Sequence, residues 1–210
     1  MITCKCPAAT AITTIPAVTC TETFGQIQKI AFQRLTSSGV KNKFDSNSDI
    51  KLLASWTTFK AANDSTKIVI SPFINAPSQE AGAPRTFGGG NESLNGIEEI
   101  IGREPSTFTA TLRRMPQSVI RVLKELECEA AANNLGVYLF DEAGRIEAIQ
   151  DSSVVTTFYP IPVQSFFVGD KTHGGLEAPD SNSIQWAFQP NYSDYLSIVT
   201  PTDFNPLTDL

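Results

Sequence analysis

The stretch LGVYLFDEAGRIEAIQ, residues 135–150, decides how the chain is read. LGVYLFD reads as a strand, DEAG as a turn with Gly144 available for positive φ, and RIEAIQ as the returning strand, which together make a β-hairpin. Just before it lies PQSVIRVLKELECEAAANN (116–134), the one long helical pattern: Val119, Val122, Leu123, Leu126 and Ala130 fall on one stripe, with Arg121, Lys124, Glu125 and Glu129 facing out. Pro116 suits the first helical position, and Asn133 and Asn134 end the helix. After the hairpin come two more strand-like runs, SVVTTFYPIPVQSFFVG (153–169) and SIQWAFQP (183–190), in which Phe158, Tyr159, Phe166 and Phe167 read as core aromatics.

Upstream, GQIQKIAFQRL (25–35) alternates Gln28, Ile30 and Phe32 against Lys29, Ala31 and Gln33, a strand with one polar face. Residues 36–49 read as an exposed loop, and SDIKLLASWTTFKAAN (48–63) as a short helix capped by Ser48 or Asp49 that turns Leu52, Leu53, Trp56 and Phe59 inward. TKIVISPFI (66–74) is a buried strand whose end Pro72 assigns to an edge or bulge. NAPSQEAGAPRTFGGGNESLNG (75–96) is rich in Pro and Gly without apolar periodicity and reads as a projecting loop or β-hairpin used for contact. In GIEEIIGREPSTFTATLRRM (96–115) two strands flank Gly102 and Pro105, and Phe108, Ala110 and Leu112 alternate with threonines. About eight to ten short strands with one main helix predict a mainly β, α+β architecture: an antiparallel β-sandwich or barrel over 24–190, with terminal arms at 1–23 and 191–210. The βαβ rhythm of a nucleotide-binding fold is missing.

Composition narrows the function. The chain has 210 residues, 41% hydrophobic and 18% charged, with 16 Lys plus Arg against 22 Asp plus Glu and a net charge of −6. That is an ordinary globular composition without the basic footprint of a sequence-reading nucleic-acid binder. Residues 1–140 carry 14 basic and 12 acidic side chains (net +2), and residues 141–210 carry two and ten (net −8). Such an asymmetry is either a solvated acidic face or the two signs with which a repeating subunit meets its neighbour.

The N-terminal MITCKCPAATAITTIPAVTC is a poor lipoprotein signal, broken by Pro16 and offering Thr19 before Cys20, and reads as an extended arm. No window approaches the ~20 apolar residues of a membrane span, so no membrane partner is expected. Cys4, Cys6 and Cys20 could supply three thiolates to a soft metal but lack a fourth ligand, and the expectation is no metal and no cofactor.

Catalytic patterns are likewise missing. His173, in GDKTHGGLEAPD with Asp170 and Glu177 nearby, has no nucleophile elbow, H-E-x-x-H or cysteine partner and reads as a loop residue. Gly88, Gly89 and Gly90 are not followed by G-K-[ST], and Glu92 comes next, the wrong sign for a phosphate cradle. Glu98 and Glu99 point to opposite faces of a strand, so they do not converge on one bond. The N-x-[ST] triplets at Asn63, Asn91 and Asn191 matter only on a glycosylating route. No catalytic residue is expected.

The stretches FGQIQKIAFQR (24–34), RTFGGGNESLNGIEEIIGREPSTFTATLRR (85–114) and NLGVYLFDEAGRIEAI (134–149) resemble virion structural proteins of tailed phages and prophages of gut Bacteroidetes. The layout is similar to that of phage tail tube proteins. This resemblance, over about Phe24 to Pro206, implies a virion subunit, made in the host cytoplasm, that forms hexameric rings stacked into a tube around DNA that passes without specific binding. It also implies contacts with itself and other virion proteins through the loop and the arms. Arg85, Phe87, Gly88, Gly89, Gly90 and Asn91 in the loop, and Tyr192, Tyr195, Phe204 and Leu210 in the tail, are the expected contact residues. Head-to-tail joining, tail terminator and head decoration proteins share this texture. A surface lipoprotein or sugar-binding module would instead need Cys20 acylated and an exposed aromatic platform.

Overall fold

The computed structural model describes residues 14–18 and 22–210. The strands are β1 (Ile27–Arg34), β2 (Thr36–Ser37), β3 (Val40–Lys41), β4 (Ile68–Ile70), β5 (Asn75–Glu80), β6 (Pro84–Phe87), β7 (Glu99–Arg103), β8 (Ser106–Arg113), β9 (Leu135–Asp141), β10 (Ile146–Gln150), β11 (Phe158–Tyr159), β12 (Ile161–Val168), β13 (Ser181–Phe188) and β14 (Leu196–Val199). Two helices join them, α1 (Leu53–Ala61) and α2 (Gln117–Ala131). The fold is mainly antiparallel β with flanking helices. It divides into two compact units, a large one of Phe24–Ala81 and Pro105–Leu210 and a small one that includes Gly82–Glu104.

In the large unit β9 is the organising strand. Along one side it pairs antiparallel with β1, placing Ile30 opposite Leu139 and Phe32 opposite Val137. Along the other side its first residues pair with β12 and its last with β10. From β12 the sheet continues through β13 and β8 to β5. The path then returns to β1, because the link between β4 and β5 also bonds to that strand: the Ser71 and Ile74 N–H groups donate to the Ile30 and Gln28 carbonyls at 2.8 and 2.9 Å. Pro72 sits in this link, where a break in the ladder tolerates its missing N–H. The sheet thus closes on itself as a barrel, leaving the short strands β4, β11 and β14 of the large unit's sheet with a single neighbour each.

Alternation fills the barrel. Phe108, Ala110 and Leu112 of β8 and Ile184, Trp186 and Phe188 of β13 meet Ile30, Phe32, Leu135, Val137 and Leu139 in one buried cluster. Trp186 stacks on Phe108 with ring centroids 4.1 Å apart. In β12 the inward residues change parity, from Ile161 and Val163 to Phe166 and Val168, because the register shifts between Gln164 and Phe167, where Ser165 has φ +52°. That bulge turns Phe167 out to solvent, against its reading as a core aromatic. Helix α2 packs on β12 with Ile120, Leu123 and Ala130 buried. Val122 is exposed and Ile120 takes its place, which rotates the buried stripe from the one read in the sequence.

The other face of β1 and β9 is also covered. Ala31, Tyr138, Phe140, Ile146 and Ala148 join Phe44, Ile50, Trp56, Phe158 and Val199 in a second buried cluster, against which Phe59, Phe204, Leu207 and Leu210 pack. All seven residues of β9 are therefore buried. The polar face expected for β1 is an interior one: the Gln33 amide donates to Thr66 O at 2.7 Å, and Tyr138 Oη donates to Gln33 Oε1 at 3.1 Å. The segment read as an exposed loop contributes Phe44 to this cluster. Helix α1 starts at Leu53 rather than near Ser48; Asp49 instead forms a turn with the Lys51 N–H. The cap is supplied from far away, since the Leu53 N–H donates to Asp203 Oδ1 at 2.9 Å. Leu52 is exposed, and Trp56 is the buried residue of the helix.

Two substitutions separate these roles. Phe140→Ala should cost about 3–5 kcal/mol in urea unfolding by opening the second cluster, and Asp203→Ala about 1 kcal/mol by uncapping α1. A Phe140→Ala loss below that of the cap variant would contradict the two-sided burial of β9.

Candidate functional site

The small unit is built on the hairpin of β6 and β7. Pro84 lies opposite Arg103, Arg85 opposite Gly102, Thr86 opposite Ile100 and Phe87 opposite Glu99, with the register shift between Arg85 and Thr86 leaving Ile101 as the extra residue. Arg85 and Glu104 pair across the base at 3.8 Å, and the Glu104 N–H donates to Ala83 O at 2.8 Å. At the apex the chain doubles back through Gly88, Gly89, Gly90, Asn95 and Gly96, all at positive φ. The Gly89 N–H donates to Ser93 Oγ at 2.9 Å, and a Cβ on Gly88 would stand 2.9 Å from that of Ser93, so the glycines there are sterically required. Of the segment read as a projecting loop or hairpin over 75–96, residues 75–80 instead form β5 of the large unit. The rest supplies the first strand and ordered glycine apex of a hairpin that β7 completes, gathering Arg85, Phe87, Gly88, Gly89, Gly90 and Asn91 in one place.

The surface chemistry of this hairpin sets it apart. No residue from 82 to 104 is buried. Phe87, Leu94, Ile97, Ile100 and Ile101 are between 56% and 88% exposed. Partners across a ladder share a face, so Phe87 lies on one face and Ile100 on the other. A two-stranded ribbon that is apolar on both faces is marginal in water, and exposed apolar surface of this kind marks a candidate interaction site.

The tail is placed differently. Tyr195 is exposed, but Tyr192 stacks on Phe188 at 4.4 Å, and the Gln79 amide donates to its hydroxyl. Phe204 and Leu210, read in the sequence as contacts to a neighbour, pack instead against the second cluster of their own chain. Their carbonyl neighbourhood is pinned by lysines: Lys29 Nζ donates to Leu207 O at 2.7 Å and Lys60 Nζ to Leu210 O at 2.8 Å. Burial, with Lys60 nearby, lowers the Lys29 ammonium from its usual range.

Titratable groups elsewhere serve the fold. Asp141 is fully buried at the turn of the β9–β10 hairpin and accepts from the Gly25, Ala143 and Arg145 N–H groups and from Arg145 Nε. Gly144 has φ +74°, as the turn requires. His173 is exposed beside Asp180, its Nδ1 3.3 Å from that carboxylate, and Asp170 pairs with Lys124 instead. Among the described residues no group of three His, Cys, Asp or Glu is placed to hold a metal ion. Cys4, Cys6 and Cys20 lie outside the described residues, and Cys128 is exposed on α2. No described helix is long and apolar enough to cross a membrane.

Sequence reading passed over Glu147. Ile146 and Ala148 face the second cluster, so Glu147 points the other way, beside the partly buried Ile149. Burial pushes its carboxyl up to about 7, with Asp141 adding repulsion. The alternation of RIEAIQ carries part of the signal: Ile146 and Ala148 are buried on one face, and Glu147 and Ile149 are half-buried on the other.

No family model and no curated protein matches the chain. Among solved structures, a chain from the six-fold symmetrised baseplate of the anti-feeding prophage is similar at 10% identity, over 90% of this chain and 98% of that one, with a TM-score of 0.35.

Because the folded-state carboxyl of Glu147 sits above its usual value of 4.5, its protonation favours the fold at low pH, and that contribution is lost as pH rises from about 4.5 to 7. Glu147→Gln should therefore raise stability at pH 8 by about 1–3 kcal/mol and leave it unchanged near pH 4, in urea unfolding across pH.

Proposed function

We propose that the protein is a structural subunit of a phage virion, the tube protein of a phage tail, whose copies form stacked hexameric rings around a DNA-conducting channel. The observation that carries this reading is the β6–β7 hairpin. Each large apolar side chain removed from water is worth roughly 1.5–3 kcal/mol, so five together supply enough to hold a specific contact once association costs are met. A closed barrel supplies a rigid body for such a subunit, and the resemblance of residues 24–34, 85–114 and 134–149 to tailed-phage virion proteins supplies the kind of assembly.

Electrostatics favour a conduit over a DNA-binding surface. Arg34 pairs with Glu129, Lys43 with Asp45, Lys124 with Asp170 and Lys171 with Asp180, so these cations are matched within the chain. With a net charge of −6, the tube does not grip the phosphates that slide past it. The role is structural rather than catalytic, in a virion located outside any membrane, with itself and other virion proteins as partners.

Negative-stain microscopy of the purified protein tests this: rings or tubes about 100 Å across are expected from the subunit size. Rings that never stack would favour a joining, terminator or decoration protein, and a strictly monomeric species at high concentration would overturn the reading.

A further inference from the structure

The hairpin apex has a distinct chemistry. Leu94 and Ile97 stand out from it, and Glu92, Glu98 and Glu99 surround them, with no cation between Thr86 and Gly102. A surface that receives this apex has to be apolar, concave and locally positive. Three grooves of the large unit can be compared on those terms.

The groove beside Gln33 is small, about 220 Å³, and is occupied at its rim by the Arg34–Glu129 pair. The groove beside β14, about 630 Å³, is lined by Asp45 and Asp49 against one lysine, Lys51, a mixed lining without the net positive charge that the apex carboxylates call for. The third lies between the end of α2 and β11–β12 and measures about 560 Å³. Leu35, Ala132, Tyr159, Pro160 and Pro162 line it, and Lys41 is its one charged lining residue. The Lys41 ammonium stands 5.5 Å over the Tyr159 ring, and the Tyr159 hydroxyl donates to Asp151 at 3.1 Å, which holds the ring as one wall. The two prolines leave that wall with backbone that cannot donate, a surface suited to side-chain burial.

We infer that the hairpin apex of one copy seats in this groove of a second copy, Leu94 and Ile97 entering between Leu35, Tyr159 and Pro162 while one of the two adjacent apex carboxylates, Glu98 or Glu99, meets Lys41. The inference rests on the assembly reading above and deepens it by naming the receiving surface. The contact is heterologous: one copy gives its apex and offers its groove to another. Apex and groove are different patches, so a copy bound through one keeps the other free to recruit the next copy into a ring or a stack, unless two copies exchange them about a two-fold axis.

The test uses four forms of the full chain, each checked by circular dichroism and thermal unfolding for an unchanged fold, with association followed by sedimentation velocity over a concentration series. Leu94→Asp and Lys41→Glu, both at exposed positions, should each raise the concentration for half-assembly at least about tenfold. Lys41→Glu combined with Glu98→Lys and Glu99→Lys should return it to within about threefold of the native chain. If Leu94→Asp blocks assembly while Lys41→Glu assembles like the native chain, the apex docks elsewhere: this inference falls and the assembly reading stands. Failure of the triple variant to recover overturns it equally. A native chain that stays monomeric throughout overturns both.

Discussion

The rest of the structure depends on the burial of β9 from both sides. Leu135, Val137 and Leu139 face the barrel interior, Tyr138 and Phe140 face the second cluster, and no side chain of the strand reaches water. A strand in that position satisfies its backbone only through neighbours on both edges, here β1 on one side and β12 with β10 on the other. Each neighbour then fixes the next element: β12 carries α2, β1 carries β4, and the second cluster holds α1 and the tail in place. At Gly136 the packing is so close that a Cβ would come within 2.7 Å of Leu35 and 2.8 Å of Pro160. Removing apolar volume here affects both clusters at once, because protein interiors relax little around a void.

The charge asymmetry acquires a local explanation. Of the acidic residues after position 140, Asp141 pairs with Arg145, Asp170 with Lys124 and Asp180 with Lys171. Asp203 caps α1, Asp151 accepts from the Ser153 and Val154 N–H groups, and Asp209 from that of Asn205. Many carboxylates of the acidic third are thus committed to turns, a cap and ion pairs in their own chain, and fewer remain to meet a neighbour than the count suggests. The hairpin unit, by contrast, holds its apolar residues in the open. In the proposed assembly, self-association would be driven by apolar burial at the hairpin, with charge setting register and partner.

Much of the fold was legible because local pattern and tertiary environment agree. In β8 the threonines face out and Phe108, Ala110 and Leu112 face in; the DEAG turn needs its glycine; α2 spans the helical stripe with an error of one position, Ile120 for Val122. Illegible features depend on distant chain. Nothing near Ala31 or Gln33 announces that residues 200–210 will return to cover that face, nor that Asp203 will cap a helix 150 residues earlier in the chain. The bulge at Ser165 puts a non-glycine residue at positive φ, for which the sequence holds no mark, and so Phe166 and Phe167 both read as core aromatics. The candidate site was half visible: its glycines marked a loop, while Ile97, Ile100 and Ile101 fell in a strand-like run whose local pattern does not say whether anything covers it. Exposure of those isoleucines is what marks the hairpin as a candidate interface.

Hydrogen exchange along the whole chain, measured in dilute and in concentrated protein, tests most directly the claim of a rigid barrel with an exposed apolar hairpin. The amides of β9 should exchange most slowly at both concentrations, through global unfolding, while those of β6 and β7 exchange fast when dilute and become protected on concentration. Hairpin amides that are equally protected, or equally unprotected, at the two concentrations would contradict it.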